Sequence, residues 1–213
     1  TTMNEAAETG IEIIDIVGVG IIVLMALVVV GVFVLVRGRR RAAARDVWTS
    51  AIEKVGGTMD FEQHLFSDPT ASFVVNGVPG RLEVHNMGRI ITRVVTPLAA
   101  PSPAAVGFYP QDENFTGRAY GMASYIHFDD PPLSDYLRVI STPENGLSTV
   151  LVPEIRELLV KYREFFSRAY LGVCGQEVEI RLFEVKVPPA RVAMAMDMAT
   201  RVSLILSRPA DAE

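Results

Sequence analysis

Residues 16–36 read IVGVGIIVLMALVVVGVFVLV, 21 consecutive positions without a charged or strongly polar side chain. A bilayer core about 30 Å thick needs roughly 20 apolar residues in a helix, because each residue rises about 1.5 Å. The run therefore predicts a transmembrane helix, and it accounts for a chain that is 49% hydrophobic with a mean hydropathy of +0.27 over 213 residues. Core helices of soluble proteins usually stop sooner. A secretory leader would begin with basic residues and have a shorter apolar core, whereas Glu5, Glu8, Glu12 and Asp15 precede this one. The span is expected to be retained, and Thr1 fits simple loss of an initiator methionine.

The flanks give a direction. No Lys or Arg precedes the run, while Arg37, Arg39, Arg40, Arg41 and Arg45 follow it, and the cytoplasmic side keeps such residues. The expected topology is a short extracytoplasmic N-terminus (1–15), a helix (16–36) and a cytoplasmic remainder at the bacterial inner membrane. The arginines face anionic lipid headgroups as their natural counter-charge. Gly18, Gly20, Ala26 and Gly31 offer notches for packing against other helices without a repeated small-xxx-small stripe, so self-dimerisation is not specified. With no His, Asp, Glu, Lys or Arg inside it, the span cannot ligate haem or a chlorophyll magnesium or relay protons. Anchoring and lateral packing are what it has left.

Beyond the arginines, Val47, Trp48, Ala51, Ile52 and Val55 recur at helical spacing and Gly56-Gly57 ends the pattern, which predicts a basic juxtamembrane helix within 37–57. Trp48 belongs either near the headgroups or against the domain. Residues 58–213 then read as one α+β domain of short mixed or antiparallel strands with two longer C-terminal helices. Ala71–Val75, Arg81–His85, Ile90–Thr96 and Val106–Tyr109 are candidate strands, the first two joined across Asn76-Gly77-Val78-Pro79-Gly80. Residues 98–105 are a small, Pro-bearing edge or connector, and 111–132 show no clean periodicity. Leu133–Thr142 reads as a strand ending at a Pro143–Gly146 turn. Pro153 opens an amphipathic helix through Ile155, Leu158, Leu159, Tyr162, Phe165 and Phe166. Tyr170–Cys174 and Glu177–Glu184 form a hairpin, with Val178, Ile180 and Leu182 inward and Glu177, Glu179 and Arg181 toward water. Ala190–Ser207 is a broadly apolar helix, sandwiched in a core or docked on a partner.

Charge excludes one class of partner. Residues 46–213 carry 15 Lys and Arg against 21 Asp and Glu, a net of −6, with no basic stripe of the kind nucleic acid requires. Chemistry is equally sparse. His64, His85 and His127 are isolated and form no metal-ligand spacing, and no metal or other cofactor is expected. The group His127-Phe128-Asp129-Asp130 could serve acid-base work, although Asp-Pro sequences are ordinary turn chemistry. Cys174, the single cysteine, has no CxxC partner and reads as a structural thiol. Gly117 and Gly121, among Phe115, Tyr120 and Tyr125, lack the strand and helix of a phosphate cradle. The absence of such motifs does not exclude an enzyme, but binding and support are the expected role.

A short outside N-terminus, one helix, an arginine stop and a β-containing cytoplasmic domain resemble in layout the H subunit of purple-bacterial photosynthetic reaction centres, and small accessory subunits of respiratory complexes share it. The resemblance covers architecture and no motif, so no site residue is carried over. It implies a non-catalytic structural or assembly subunit that packs its helix against other integral-membrane subunits of a bioenergetic complex, a photosynthetic one in the first instance, and caps the cytoplasmic face. The alternatives are a stand-alone membrane-anchored binding or signalling adaptor, and a tethered hydrolase using His127, Asp129 or Asp130.

Overall fold

The computed structural model describes residues 2–62, 68–86, 90–111, 125–126, 128–184 and 186–208, with side chains described from residue 20 onward except at 85, 86 and 90. The chain divides into two compact units, Thr1–Ala43 and Ala44–Glu213. Helix α1 (Thr2–Val55) forms all of the first unit's described length and continues into the second. The juxtamembrane segment is thus the end of a longer helix rather than a separate one. Apart from Gly38, residues 37–45 are Arg and Ala, which are good helix formers, and the helix runs on through them. Gly56 at φ +70° ends it, as the Gly-Gly pair predicts.

In the first unit, the apolar side chains from Ile21 to Val36 are 42–67% exposed and none is buried. This is the one described helix long and apolar enough to cross a membrane. A helix apolar on every side has no wet face to offer, so water is the wrong solvent for it.

The second unit is built on a nine-stranded antiparallel sheet. Its strands are β1 (Thr58–Phe61), β2 (Thr70–Val75), β3 (Val78–Asn86), β4 (Ile90–Pro97), β5 (Ala105–Pro110), β6 (Tyr125–Ile126), β7 (Leu137–Thr142), β8 (Ala169–Cys174) and β9 (Glu177–Leu182), in the order β1-β2-β3-β4-β9-β8-β5-β7-β6. Short helices α2 (Pro131–Ser134), α3 (Leu147–Val150), α4 (Pro153–Lys161) and α5 (Arg163–Phe166) precede the last hairpin, and α6 (Pro189–Leu206) follows it. The expected α+β class holds. The β2–β3 hairpin turns on Asn76 (φ 51°) and Gly77 (φ 78°), two left-handed residues as a tight hairpin requires, so the turn is shorter than the five-residue signal suggests.

One sheet face carries the main core. Helix α6 lies against β2, β3, β4 and β9, burying Val192, Ala195, Met196, Met198, Ala199 and Val202, which resolves its apolar breadth in favour of core packing. Two buried hydroxyls tie it to the sheet: Thr96 Oγ1 on β4 donates to the Ala199 carbonyl at 3.0 Å, and Ser203 Oγ donates to the Pro97 carbonyl. The α1 face predicted from spacing also packs here. Trp48 is 2% exposed and stacks on Phe61 at 6.2 Å, while the Arg45 guanidinium lies 5.1 Å from the centroid of the same Phe61 ring. Trp48 is a domain residue.

Three expectations need correction. Leu133 sits in α2 rather than in a strand, because Pro131 and Pro132 favour a helical first turn, and β7 starts at Leu137. The Pro143–Gly146 turn is a 3-10 helix, Glu144–Gly146, running into α3. The Pro153 helix breaks at Tyr162 (φ −107°, ψ 35°), although both pieces keep the predicted face, with Ile155, Leu159, Phe165 and Phe166 buried. Strand β1 had no signal beyond Met59 and Phe61 alternating with polar residues.

Candidate functional site

The face of the sheet opposite α6 is where the polar chemistry concentrates. Register sets Glu83, Arg93, Arg181 and Tyr170 in one row across β3, β4, β9 and β8, and Arg81, Val95, Glu179, Gly172 and Gly107 in the next. Two arginines directly opposite each other repel, so Arg93 and Arg181 require an anion between them. Glu179 supplies it. Its Oε1 accepts from Arg93 Nε and from Arg181 Nε, each at 2.5 Å, and its Oε2 accepts from Arg181 at 3.1 Å. Arg93 also donates to Glu83 at 3.0 Å and to Glu177 at 3.4 Å, and Arg81 pairs with Glu83.

Glu179 is 1% exposed. Strand alternation correctly placed it opposite Val178 and Ile180, but that second face is not wet. Ile91, Tyr109, Ile140, Tyr170 and Phe183 form a smaller core on it. Burial alone lowers the pKa of Arg93 and Arg181, yet the hydrogen bonds and charge of Glu179 outweigh it and hold both guanidinium pKa values above the usual value. Three arginines face three glutamates in this group, so it carries no surplus charge for a charged ligand. Its chemistry is that of a cross-strand clamp.

Beside the clamp, Gly107 and Gly172 are direct partners on β5 and β8. Tyr170 lies over Gly172 and Tyr109 leans over Gly107, the two rings 4.5 Å apart, with the Arg181 guanidinium 5.1 Å from the Tyr170 ring. A Cβ at Gly172 would overlap the Tyr170 phenol, which is wedged in place. Gly172→Ala is expected to lose about 1–3 kcal/mol of stability in urea unfolding. Combined with Tyr170→Ala, its cost should fall well below the sum of the two single losses.

Three phenols are held neutral. Burial raises Tyr109 and raises Tyr170 well above 10, and it pushes Tyr136 up to about 12 while Tyr136 Oη donates to the Leu159 carbonyl at 2.6 Å. The unfolded phenols ionise near pH 10, so above that pH the unfolded chain sheds protons that the folded chain keeps. Stability should be intact below pH 10 and fall as pH rises from 10 toward 12, read as a falling urea midpoint. Tyr136→Phe should flatten that slope.

The residues expected to bear function distribute as follows. Asp130 accepts a two-pronged pair from Arg156 at 2.7 and 2.9 Å, so it is spent on a surface link to α4, and Asp129 is exposed. His64, His127, Phe115, Gly117, Tyr120 and Gly121 lie outside the described residues, and of His85 only the backbone is described. Among the described residues no group of three His, Cys, Asp or Glu could hold a metal. Cys174 is half-buried and burial pushes its thiol up, away from nucleophilic form. On α1, open space surrounds Gly20 and Gly31, which stand eleven residues apart and so within about 20° of one line down the helix. Gly18 and Ala26 fall on other sides. Arg37, Arg40 and Arg41 share a face, with Arg39 opposite. The clamp and the tyrosine pair were missed; the signal available was the run Glu177-Val-Glu-Ile-Arg181 with a complementary Arg93 on another strand.

No protein-family model matches the chain, and no curated protein matches it in sequence. In fold it is similar to the crystal structure of the mycobacterial trehalose monomycolate transport factor A, TtfA, with a TM-score of 0.54 and 11% identity over 80% of this chain and 98% of that one.

Proposed function

We propose that the chain is a single-pass, non-catalytic accessory subunit of a larger integral-membrane assembly, its N-terminus outside and its folded domain on the cytoplasmic face. The observation that carries this reading is the unburied apolar helix of the first unit, together with a second unit that has two buried cores of its own. The helix must find lipid or other helices, and the domain spends its buried charges on its own sheet. The arginines after the span support the orientation.

The likeness in fold to a trehalose monomycolate transport factor makes transport of a lipid of that kind the first reading of what the assembly does. A photosynthetic assembly is the second reading, favoured by the layout of short outer terminus, helix and arginine stop. A stand-alone adaptor is the third. Purification of the full chain in mild detergent separates them. Co-migration with a large integral-membrane assembly free of pigment and haem absorbance is the expected result, together with inner-membrane build-up of an envelope lipid in cells lacking the chain. Pigment absorbance in the same peak would support the photosynthetic reading, and migration as a free monomer would overturn both.

A further inference from the structure

The chain contains two Asn-Gly sequences, Asn76-Gly77 and Asn145-Gly146, and the fold treats them oppositely. Glycine has no side chain to shield its amide nitrogen, so that nitrogen can attack the carboxamide of a preceding Asn when the backbone brings the two together. At the second sequence the fold prevents this. Gly146 is buried in its 3-10 turn, its N–H donates to the Pro143 carbonyl at 2.9 Å, and a Cβ there would overlap the Ala104 side chain. At the first, both residues are exposed at the tip of the β2–β3 hairpin, and open space surrounds the Gly77 Cα.

Val75 pairs with Val78 across the two-residue loop, and φ is positive at both Asn76 and Gly77, which defines a type I′ turn. That turn has ψ of about +30° at its first central residue, which points the next nitrogen away from the side chain. Turning over the one peptide between the two residues gives type II′, with ψ about −120° at the first and φ about −80° at the second. The strands keep their pairing, because both turns close the same loop, and Gly77 accepts either sign of φ. At the new ψ the Asn76 Cβ eclipses the Gly77 nitrogen, which brings the carboxamide carbon within bonding reach.

We propose that Asn76 is a site of spontaneous succinimide formation, reached from the native hairpin by this single peptide flip. The Gly77 nitrogen bonds to Asn76 Cγ, its proton goes to the departing side-chain nitrogen, and ammonia leaves. Water then opens the ring at either carbonyl. Breaking the new N–Cγ bond leaves an aspartate, and breaking the original backbone C–N bond leaves an isoaspartate. The isoaspartate lengthens the main chain by one methylene inside a loop whose length fixes the strand register. That register seats the Phe73 ring over Gly80, where there is no room for a Cβ.

The test incubates the full chain in mild detergent at neutral and mildly alkaline pH and follows both Asn-Gly sequences by peptide mapping, with isoaspartate read by an isoaspartyl carboxyl methyltransferase. Asn76 should convert several-fold faster than Asn145, and faster at the higher pH because the attacking amide must lose its proton. Its rate should stay level as urea is added below the unfolding midpoint. In the unfolded chain the two rates should converge. Equal rates in the native chain, or no conversion at Asn76, would overturn the site. A rate at Asn76 that climbs with urea below the midpoint would overturn the flip, since the reaction would then run from the unfolded chain. Ageing should also lower the urea midpoint of the native chain but not that of Asn76→Gly, because glycine takes positive φ freely and has no carboxamide. An equal fall in both would remove isoaspartate as the cause.

Discussion

Glu179→Gln should lower the stability of the domain by about 3 kcal/mol, the low end of the range for stripping one partner from a buried ion pair. The low end applies because the side chains of Arg93 and Arg181 keep 17% and 12% of their exposure, enough for some water to reach them. The carboxamide keeps an acceptor but loses the charge that lets Arg93 and Arg181 stand opposite each other. For a domain of this size the loss corresponds to a fall of roughly 6–12 °C in Tm. Replacing the three residues together, Arg93→Met, Glu179→Leu and Arg181→Met, should recover most of it, since no uncompensated charge is then buried. A Glu179→Gln protein that melts with the native one would show that the clamp contributes nothing net.

The second large effect concerns the span. Leu24→Arg with Val28→Arg puts two cations on one face near the middle of the apolar run, at about 3 kcal/mol each against insertion. The sum, about 6 kcal/mol, rivals what the whole run gains by inserting. The doubly substituted chain should move from the carbonate-resistant membrane fraction into the soluble fraction or be degraded. Its domain has its own core and should keep a native urea midpoint when recovered. Retention in the membrane would mean that the domain or a partner, rather than the helix, holds the chain there.

The amino-acid pattern announced the elements that are decided locally. The apolar run, the Asn76-Gly77 hairpin, the Trp48 and Ile52 face and the long α6 helix all follow from composition, periodicity and turn chemistry, since each is decided within one contiguous stretch. What local pattern could not carry was the second face. Glu179 alternates as a solvent-facing residue should, and only the pairing of β9 with β4, 86 positions earlier, brings Arg93 to it and permits its burial. The tyrosine pair depends on the same long-range register, because Gly107 and Gly172 gain meaning only when β5 meets β8. Leu133 misled for a simpler reason. Its apolar neighbours look like a strand, while the two prolines before it fix a helical turn. Function was the least legible, because an apolar run and a cross-strand clamp carry no signature of a particular ligand or reaction.

The sheet order places the last hairpin, β8 and β9, in the middle, between β4 and β5. During synthesis the meander β1 to β4 leaves the ribosome with its β4 edge open, and β5 waits likewise, until residues 169–182 arrive to join them. An open edge of that kind is a template for pairing between neighbouring nascent chains. A chain tethered early to a surface by its first helix would hold those edges at high local density while translation finishes. Premature termination before residue 169 should therefore yield aggregates rather than a smaller folded protein, and a slow final stretch of translation would be hazardous to this fold in a way that a sequential meander escapes.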